Sequence, residues 1–497
     1  VLAGVVLRFV TVSHLWLDEA LSVDIAGLPL RDIPAALRRD GHPPLYYVLL
    51  HGWMAVFGDG DTTVRALSGV FGVACLPVAW WLADRLAGRR AAWATLAVFA
   101  ANPFAIRYST ETRMYSLVTL LVLVGWALLV LVVEQPSVAR CGLLALTTGL
   151  LLLTHYWGLW LTGATLVVLG AQWLWSRRHD QAGPARRTLL AGGSIAAGGL
   201  LLVPWLPSML SQSAHTGTPW AAPVRPTTMV STLLTDVGGG RFAEGLLLGG
   251  ALAILILVAA CAVPRGEGVL EVDLRTVPGL RRPLAVAALT LAIATVVGYM
   301  INSTFVPRYG ATVLPMLLVA AGVGLTRVGE REVLAVVGAV VMALSGVAVV
   351  HNAGTDRTQA GAIGAAITAG SQPGDVVVLC PDQLGPSTVR YLPDGLAALA
   401  YPTLGDPRFV DWRDYAERNA RAEPAAVAAE VLRRTPPTAR IWLVASGGYR
   451  TLDGQCEALH AALGKTRPSV GLVAEDGAVF EHGLLVRLDP APAASPG

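Results

Sequence analysis

Two carboxylates stand side by side at Asp18 and Glu19, directly after the hydrophobic segment that begins the sequence. Charge at the lip of a membrane span is costly, so such groups are retained where function needs them. A positioned carboxylate can take the proton from an attacking hydroxyl or amine. Arg65, Arg107, Arg113 and Arg308 each fall near the end of a later hydrophobic stretch. Arginine forks bind phosphate oxygens in a bidentate way and stabilise negative charge growing on a leaving group. His42, Tyr108, Glu111, His155, Tyr156, Arg241 and Tyr309 are expected on the same face. Each has a plainer reading alone, since arginines at span ends snorkel and aromatic residues anchor interfaces. Together they suggest group transfer to a hydroxyl or amine from a donor with an anionic leaving group.

The elements that must position these residues are membrane spans. The chain has 497 residues, 54% of them hydrophobic and 14% charged, with a mean hydropathy of +0.57. That is the composition of a mainly α, polytopic membrane protein. Spans are expected near 1–15, 66–83, 91–106, 114–133, 141–154, 157–175, 188–206, 243–263, 283–301, 310–326 and 332–350. Arg8 is the main ionisable residue inside them. The sequence begins at Val1 and its first apolar segment is short, which implies that the natural chain extends further.

Orientation follows from arginine, because Lys465 is the one lysine. Short basic loops at Arg85 to Arg90, Arg140, Arg177 to Arg187, Arg265 to Arg282 and Arg327 to Arg331 read as cytoplasmic. The opposite face then holds 16–65, 107–113, 155–156, 207–242 and 302–309. This alternation requires that 42–58, short and with His51 in its middle, lie along the membrane surface as an interfacial helix. The stretch Leu30 to Leu37 is amphipathic in the same way.

Beyond about 352 the composition changes to that of a small α/β domain, expected to run to 490 and to lie on the outer face. Strands are expected at 371–381 and 438–446, helices at Ala425 to Arg434 and 455–464, and a closing hairpin over 470–489. Ser446-Gly447-Gly448 is too little for a nucleotide loop, and 491–497 reads as a disordered tail. Cys75, Cys141 and Cys261 lie in apolar stretches, and no cysteine spacing suits a metal. A disulfide between Cys380 and Cys456 is left open, since sequence cannot bring two side chains together.

Several motifs occur in a telling order. They are Leu15-Trp16-Leu17-Asp18-Glu19, then His42-Pro43-Pro44-Leu45-Tyr46-Tyr47, then the run from Arg65 to Gly72. Asn102-Pro103, Arg107-Tyr108-Ser109-Thr110-Glu111-Thr112-Arg113 and Pro307-Arg308-Tyr309 follow. Over roughly residues 1–350 this succession resembles the GT-C glycosyltransferases. The closest group is the protein O-mannosyltransferase and lipid A aminoarabinose transferase-like family. The resemblance implies a GT-C fold with juxtamembrane helices in the first external loop, a polyprenyl-phosphate sugar donor and inversion at the anomeric carbon. It also implies Asp18 as base, Glu19 as the neighbour that orients acceptor or donor, and Arg65 as the family's arginine at the start of the second span. His42 stands near a phosphate-binding lysine of the aminoarabinose transferases, a departure that shifts the expected phosphate contacts to Arg308, with Arg113 and Arg107 behind it. The α/β tail and the lack of trefoil-like repeats argue against assuming a protein acceptor.

The expectation is therefore an extracytoplasmic, membrane-embedded, inverting glycosyltransferase with a mannose-type donor. The acceptor is a glycan, lipid or protein; membrane lipid is the setting, and no nucleic acid is involved. No cofactor is required, because a single phosphate leaves, although Asp18 and Glu19 could hold a divalent cation. The alternative is a transporter or flippase of a lipid-linked sugar. Transporters place polar groups at mid-membrane and show repeated halves, whereas here the polar residues gather at one mouth.

Overall fold

The computed structural model describes residues 1–216, 223–240, 242–264, 269–273, 278–301, 304–328, 331–447 and 451–491. Arg241 and the tail beyond 491 lie outside the described residues. Seven helices among those described are long and apolar enough to cross a bilayer. They are Asp61–Ala87, Tyr115–Glu134, Trp157–Arg178, Ala182–His215, Ala243–Cys261, Gly279–Met300 and Arg331–Gly354. Tyr115–Glu134 is apolar on every side until Glu134, as a helix among helices and lipid must be.

Three expected spans are shorter helices: Arg89–Ala101, Val138–Leu152 and Leu314–Leu325. Leu314–Leu325 is buried at every residue but Leu317, so neighbouring helices shield most of it from lipid. The expected first span is a correction. Only Leu2–Leu7 is helical there, and residues 10–16 form no regular secondary structure. Arg8 explains part of this end. It is buried, and its guanidinium donates to the carbonyls of Gly4, Phe99 and Ala100, closing the last turn of Arg89–Ala101.

Three shorter helices precede the long helix Asp61–Ala87: Leu17–Ala26, Ile33–Asp40 and Leu45–Phe57. The last has 13 residues, roughly 20 Å at ~1.5 Å per residue, too short to cross a bilayer. Ile33–Asp40 stops at Gly41, whose φ of +95° is the left-handed conformation that glycine adopts cheaply. Beyond that turn the His42 ring lies against Asp40 and Arg113. The arginine-rich loops meet at the other end: Arg85 pairs with Glu134 at 2.5 Å and Arg187 donates to the Glu134 carbonyl at 2.9 Å.

The C-terminal region is a five-stranded mixed sheet with helices. In spatial order the strands are Ala397–Ala400, Val376–Cys380, Ile441–Ala445, Leu484–Leu488 and Ser469–Val473. The first three are parallel and the last two antiparallel to them or to each other. Val376–Cys380 and Ile441–Ala445 are buried throughout, which is why their sequences read as unbroken apolar runs. Pro424–Arg434 and Gln455–Gly464 are helices, as expected. Ala397–Ala400 and the helix Ala360–Gly370 carried no clear sequence pattern. Cys380 and Cys456 form a disulfide. The membrane part runs to Gly354, slightly past the expected boundary.

This domain is fastened to the helix that carries Asp18. The Leu15 N–H donates to the Tyr391 hydroxyl at 2.7 Å, and Phe480 packs edge-on against Trp16 with ring centroids 5.2 Å apart. The Leu17 N–H, one of the orphan donors at a helix start, donates to both carboxylate oxygens of Glu481 at 3.2 Å. Ser387 donates to the same carboxylate at 2.8 Å. A capping group for Leu17–Ala26 thus arrives from more than 450 residues away.

Candidate active site

Asp18 sits in the first turn of Leu17–Ala26, where the positive end of the helix favours a carboxylate. Its Oδ2 lies 3.1 Å from Nη2 of Arg308 and 3.9 Å from Nε of Arg113. Asp18 and Arg308 each keep 17% of their side chains exposed, while Arg113 keeps 3%. Arg308 is carried by a short 3-10 helix, Pro307–Thr312, and its guanidinium lies over the Trp16 ring, 5.5 Å from the centroid. The charges are close but poorly aligned. Asp18 Oδ2, Arg113 Nε, Arg308 Nε and the Tyr115 hydroxyl are buried atoms with no hydrogen-bond partner among the described residues. Buried polar atoms are rarely left so, and four in one place mark a site made for something else.

Arg113 is otherwise committed. Its Nη1 donates to Ser22 Oγ at 2.9 Å and more weakly to the Asp18 carbonyl at 3.3 Å. Its Nη2 faces His42 Nε2 at 3.0 Å. Behind His42, Asp40 receives the ring Nδ1 at 2.8 Å and the Tyr47 hydroxyl at 2.9 Å. Burial alone would raise the Asp40 carboxyl, but His42, Arg113 and Tyr47 outweigh it and hold it below the usual range.

Glu19 departs from its expected place. It is fully buried and turned away from Asp18, clasped by both Nε and Nη2 of Arg65 at 2.7 and 2.6 Å. The Thr112 N–H completes the set at 2.8 Å, and Arg65 also donates to the carbonyls of Ser13 and His14. Neither Glu19 nor Arg65 faces Asp18; the pair holds the loop 13–19 against the segment 110–113. A divalent cation shared by Asp18 and Glu19 therefore lacks a second free carboxylate. Among the described residues no three His, Cys, Asp or Glu side chains stand close enough to hold a metal.

Arg107, Tyr108 and Glu111 form a neighbouring cluster. Arg107 lies 3.5 Å from Glu111 and 4.0 Å from Asp236, and the Tyr108 hydroxyl donates to Asp236 at 3.1 Å. Arg357, from beyond the last long helix, approaches Glu111 at 3.6 Å and donates to Thr110. Burial pushes Asp236 up despite Arg107 and the Tyr108 hydrogen bond.

His155 packs among His42, Tyr115 and Tyr309 at ring-centroid distances of 6.5, 5.8 and 5.2 Å. Burial first, and then the charges of Arg113 and Arg308, hold its pKa well below the ordinary value, which favours the neutral ring. Tyr156 points elsewhere, donating to Gln212 and accepting from Trp205. His42, His155, Tyr156 and Tyr309, with Trp157 and Phe305, border a cavity of about 320 Å³ between the ends of Trp157–Arg178 and Gly279–Met300.

Asp40, Tyr115, Asp236, Arg357 and Glu481 were not singled out by sequence. Asp40 had one available sign, its place two residues before His42 in Asp40-Gly41-His42. The others come together only through the fold.

The family model for dolichyl-phosphate-mannose-protein mannosyltransferases matches residues 41–191, which include His42, Arg65, Arg107 to Arg113 and His155. No curated protein sequence matches the chain. Among solved structures, the apo form of ArnT from Cupriavidus metallidurans superposes with a TM-score of 0.63 at 16% identity, covering 98% of this chain and 96% of that one. The same protein bound to undecaprenyl phosphate gives a TM-score of 0.55 at 17% identity over the same shares. The chain has the GT-C fold of these ArnT structures.

Proposed function

We propose that the protein transfers a sugar from a polyprenyl-phosphate donor to a hydroxyl- or amine-bearing acceptor, with inversion at the anomeric carbon and no metal. The observation that carries this reading is the pairing of Asp18 with Arg308 beside unpartnered donors. Asp18 accepts the proton of the attacking group as its oxygen or nitrogen bonds to the anomeric carbon. The bond from that carbon to the phosphate oxygen breaks, and the polyprenyl phosphate leaves with the electron pair. Arg308, beside Asp18 and with an unpartnered Nε–H, binds the charge that grows on the leaving phosphate.

The relative solved with undecaprenyl phosphate supports a polyprenyl-linked donor. The aromatic cavity beside His155 and Tyr309 suits the first part of a lipid tail. A second cleft, about 460 Å³, lies between the juxtamembrane helices and the C-terminal domain, with Leu21, Ile25 and Asp40 on one wall and Asp382 and Phe409 on the other. It suits an acceptor approaching from outside the membrane. The Cys380–Cys456 disulfide supports an oxidising, extracytoplasmic setting for that domain. The donor sugar is proposed as mannose-type from the family model alone.

Purified protein in lipid nanodiscs, given radiolabelled polyprenyl-phosphate mannose and a panel of membrane glycolipid, glycan and peptide acceptors, tests the reading. Label is expected to move to one acceptor class with release of polyprenyl phosphate. Uptake of intact donor into sealed vesicles without release would favour a transporter.

A further inference from the structure

Arg113 is held by a contact whose polarity fixes the state of His42. A guanidinium carries only donors and keeps its proton at any pH a protein meets. His42 Nε2, 3.0 Å from Arg113 Nη2, must therefore present a lone pair. The ring proton is then on Nδ1, which gives it to Asp40 Oδ2 at 2.8 Å. Asp40 is fixed in turn by the Tyr47 hydroxyl on the same oxygen and keeps 4% of its side chain exposed. The remaining groups facing the ring are Tyr47 and His155, neither of them a cation here. An imidazolium at 42 would set N–H against N–H and place a second positive charge beside Arg113.

We propose that Asp40 and His42 form a positioning dyad for Arg113, with His42 serving as a neutral acceptor and not as a ligand of the donor phosphate. With both terminal nitrogens of Arg113 tied to Ser22, the Asp18 backbone and His42, the unpartnered Nε–H is left toward the Asp18 carboxylate. The dyad thus orients the proposed base through an arginine, and the phosphate contact falls to Arg308. This inference rests on the proposed role of Asp18, but the state of the ring can be read without any turnover.

Three variants of the full chain separate a positioning role from a phosphate ligand. Glutamine can accept from Arg113 and donate to Asp40, lysine can bind phosphate but has no lone pair for Arg113, and alanine does neither. The expected outcome is that His42→Gln loses no more than about tenfold in kcat. His42→Lys and His42→Ala should lose about a hundredfold, the scale of a misplaced catalytic group. KM for the polyprenyl-phosphate sugar should stay within about threefold in all three. Activity in His42→Lys equal to or above that in His42→Gln, or a KM rise that dominates the loss, overturns the proposal.

The second readout is solid-state ¹⁵N NMR of histidine-labelled wild-type protein at pH 7.5 without substrate, with the His42 signal identified by its loss in His42→Gln. A protonated Nδ1 and an unprotonated Nε2 are expected. The opposite tautomer or a doubly protonated ring refutes the dyad whether or not transfer is ever detected. Failure of the wild-type protein to transfer any sugar, with the expected tautomer present, would count against the enzymatic reading and leave the dyad standing.

Discussion

Arg308 and Asp18 approach to 3.1 Å although 290 residues separate them, and each remains partly exposed while the groups around them are closed off. An ion pair built only for stability would be expected to align its hydrogen bonds, yet Arg308 Nε and Asp18 Oδ2 lack partners among the described residues. The pair has the incomplete geometry of a site that a substrate finishes.

Arg308→Ala is expected to lower kcat/KM for the polyprenyl-phosphate sugar by about 10²–10³, the scale of losing one preorganised donor to a developing anion. Arg308→Lys keeps the charge but not the fork and should recover only part of it. Inhibition by free polyprenyl phosphate should weaken in parallel in both. Unchanged inhibition would move the phosphate to another cation, with Arg107 the nearest candidate by exposure.

Glu19 and Arg65 give a contrasting prediction. Both are buried and fully paired, so removing one leaves an uncompensated charge in the interior. Glu19→Gln and Arg65→Ala should each destabilise the protein by about 3–5 kcal/mol. The measurement is thermal unfolding in detergent, compared with kcat per folded molecule. A large drop in kcat with unchanged unfolding temperature would return Glu19 to the catalytic group.

The contrast marks what a linear sequence can disclose. Hydrophobic runs announce helices, and the arginines at their ends announce a polar mouth, so the mainly helical membrane fold with its α/β tail was legible. Asp18 and Glu19 look equivalent as letters. A helix separates them by about 100° per residue, which sends Asp18 toward Arg308 and Glu19 toward Arg65. Residue 42 is ambiguous in a related way, because a polar residue before Pro43-Pro44 suggests a ligand, and only the fold brings Asp40 and Arg113 to its two sides. The first segment failed for a different reason. Its apolar residues resemble a span, but the chain leaves the helix after Leu7 and extends toward Asp356, which receives Ser13 at 3.0 Å.

Glu481 supplies a pH prediction for the docking of the C-terminal domain. Burial pushes its carboxyl up to about 7, against the hydrogen bonds of Thr358, Ser387 and Leu17. A folded state with a raised acid pKa holds a proton that the unfolded chain has lost. Stability is therefore greatest below the unfolded value near 4.5 and declines as pH rises to about 7. The contribution is at most on the order of 3 kcal/mol. Unfolding temperature followed by intrinsic fluorescence should fall between pH 5 and 7, and Glu481→Gln should flatten that fall. A slope identical in wild type and variant would contradict the assignment.

The most direct measurement is single-turnover transfer from radiolabelled polyprenyl-phosphate sugar by Asp18→Asn, an isosteric change that removes the base and keeps the site's shape. The proposed mechanism predicts a loss of about 10²–10⁴ in the rate of the chemical step, with the affinity for polyprenyl phosphate retained within a few fold. Transfer at a near wild-type rate would show that Asp18 is not the base.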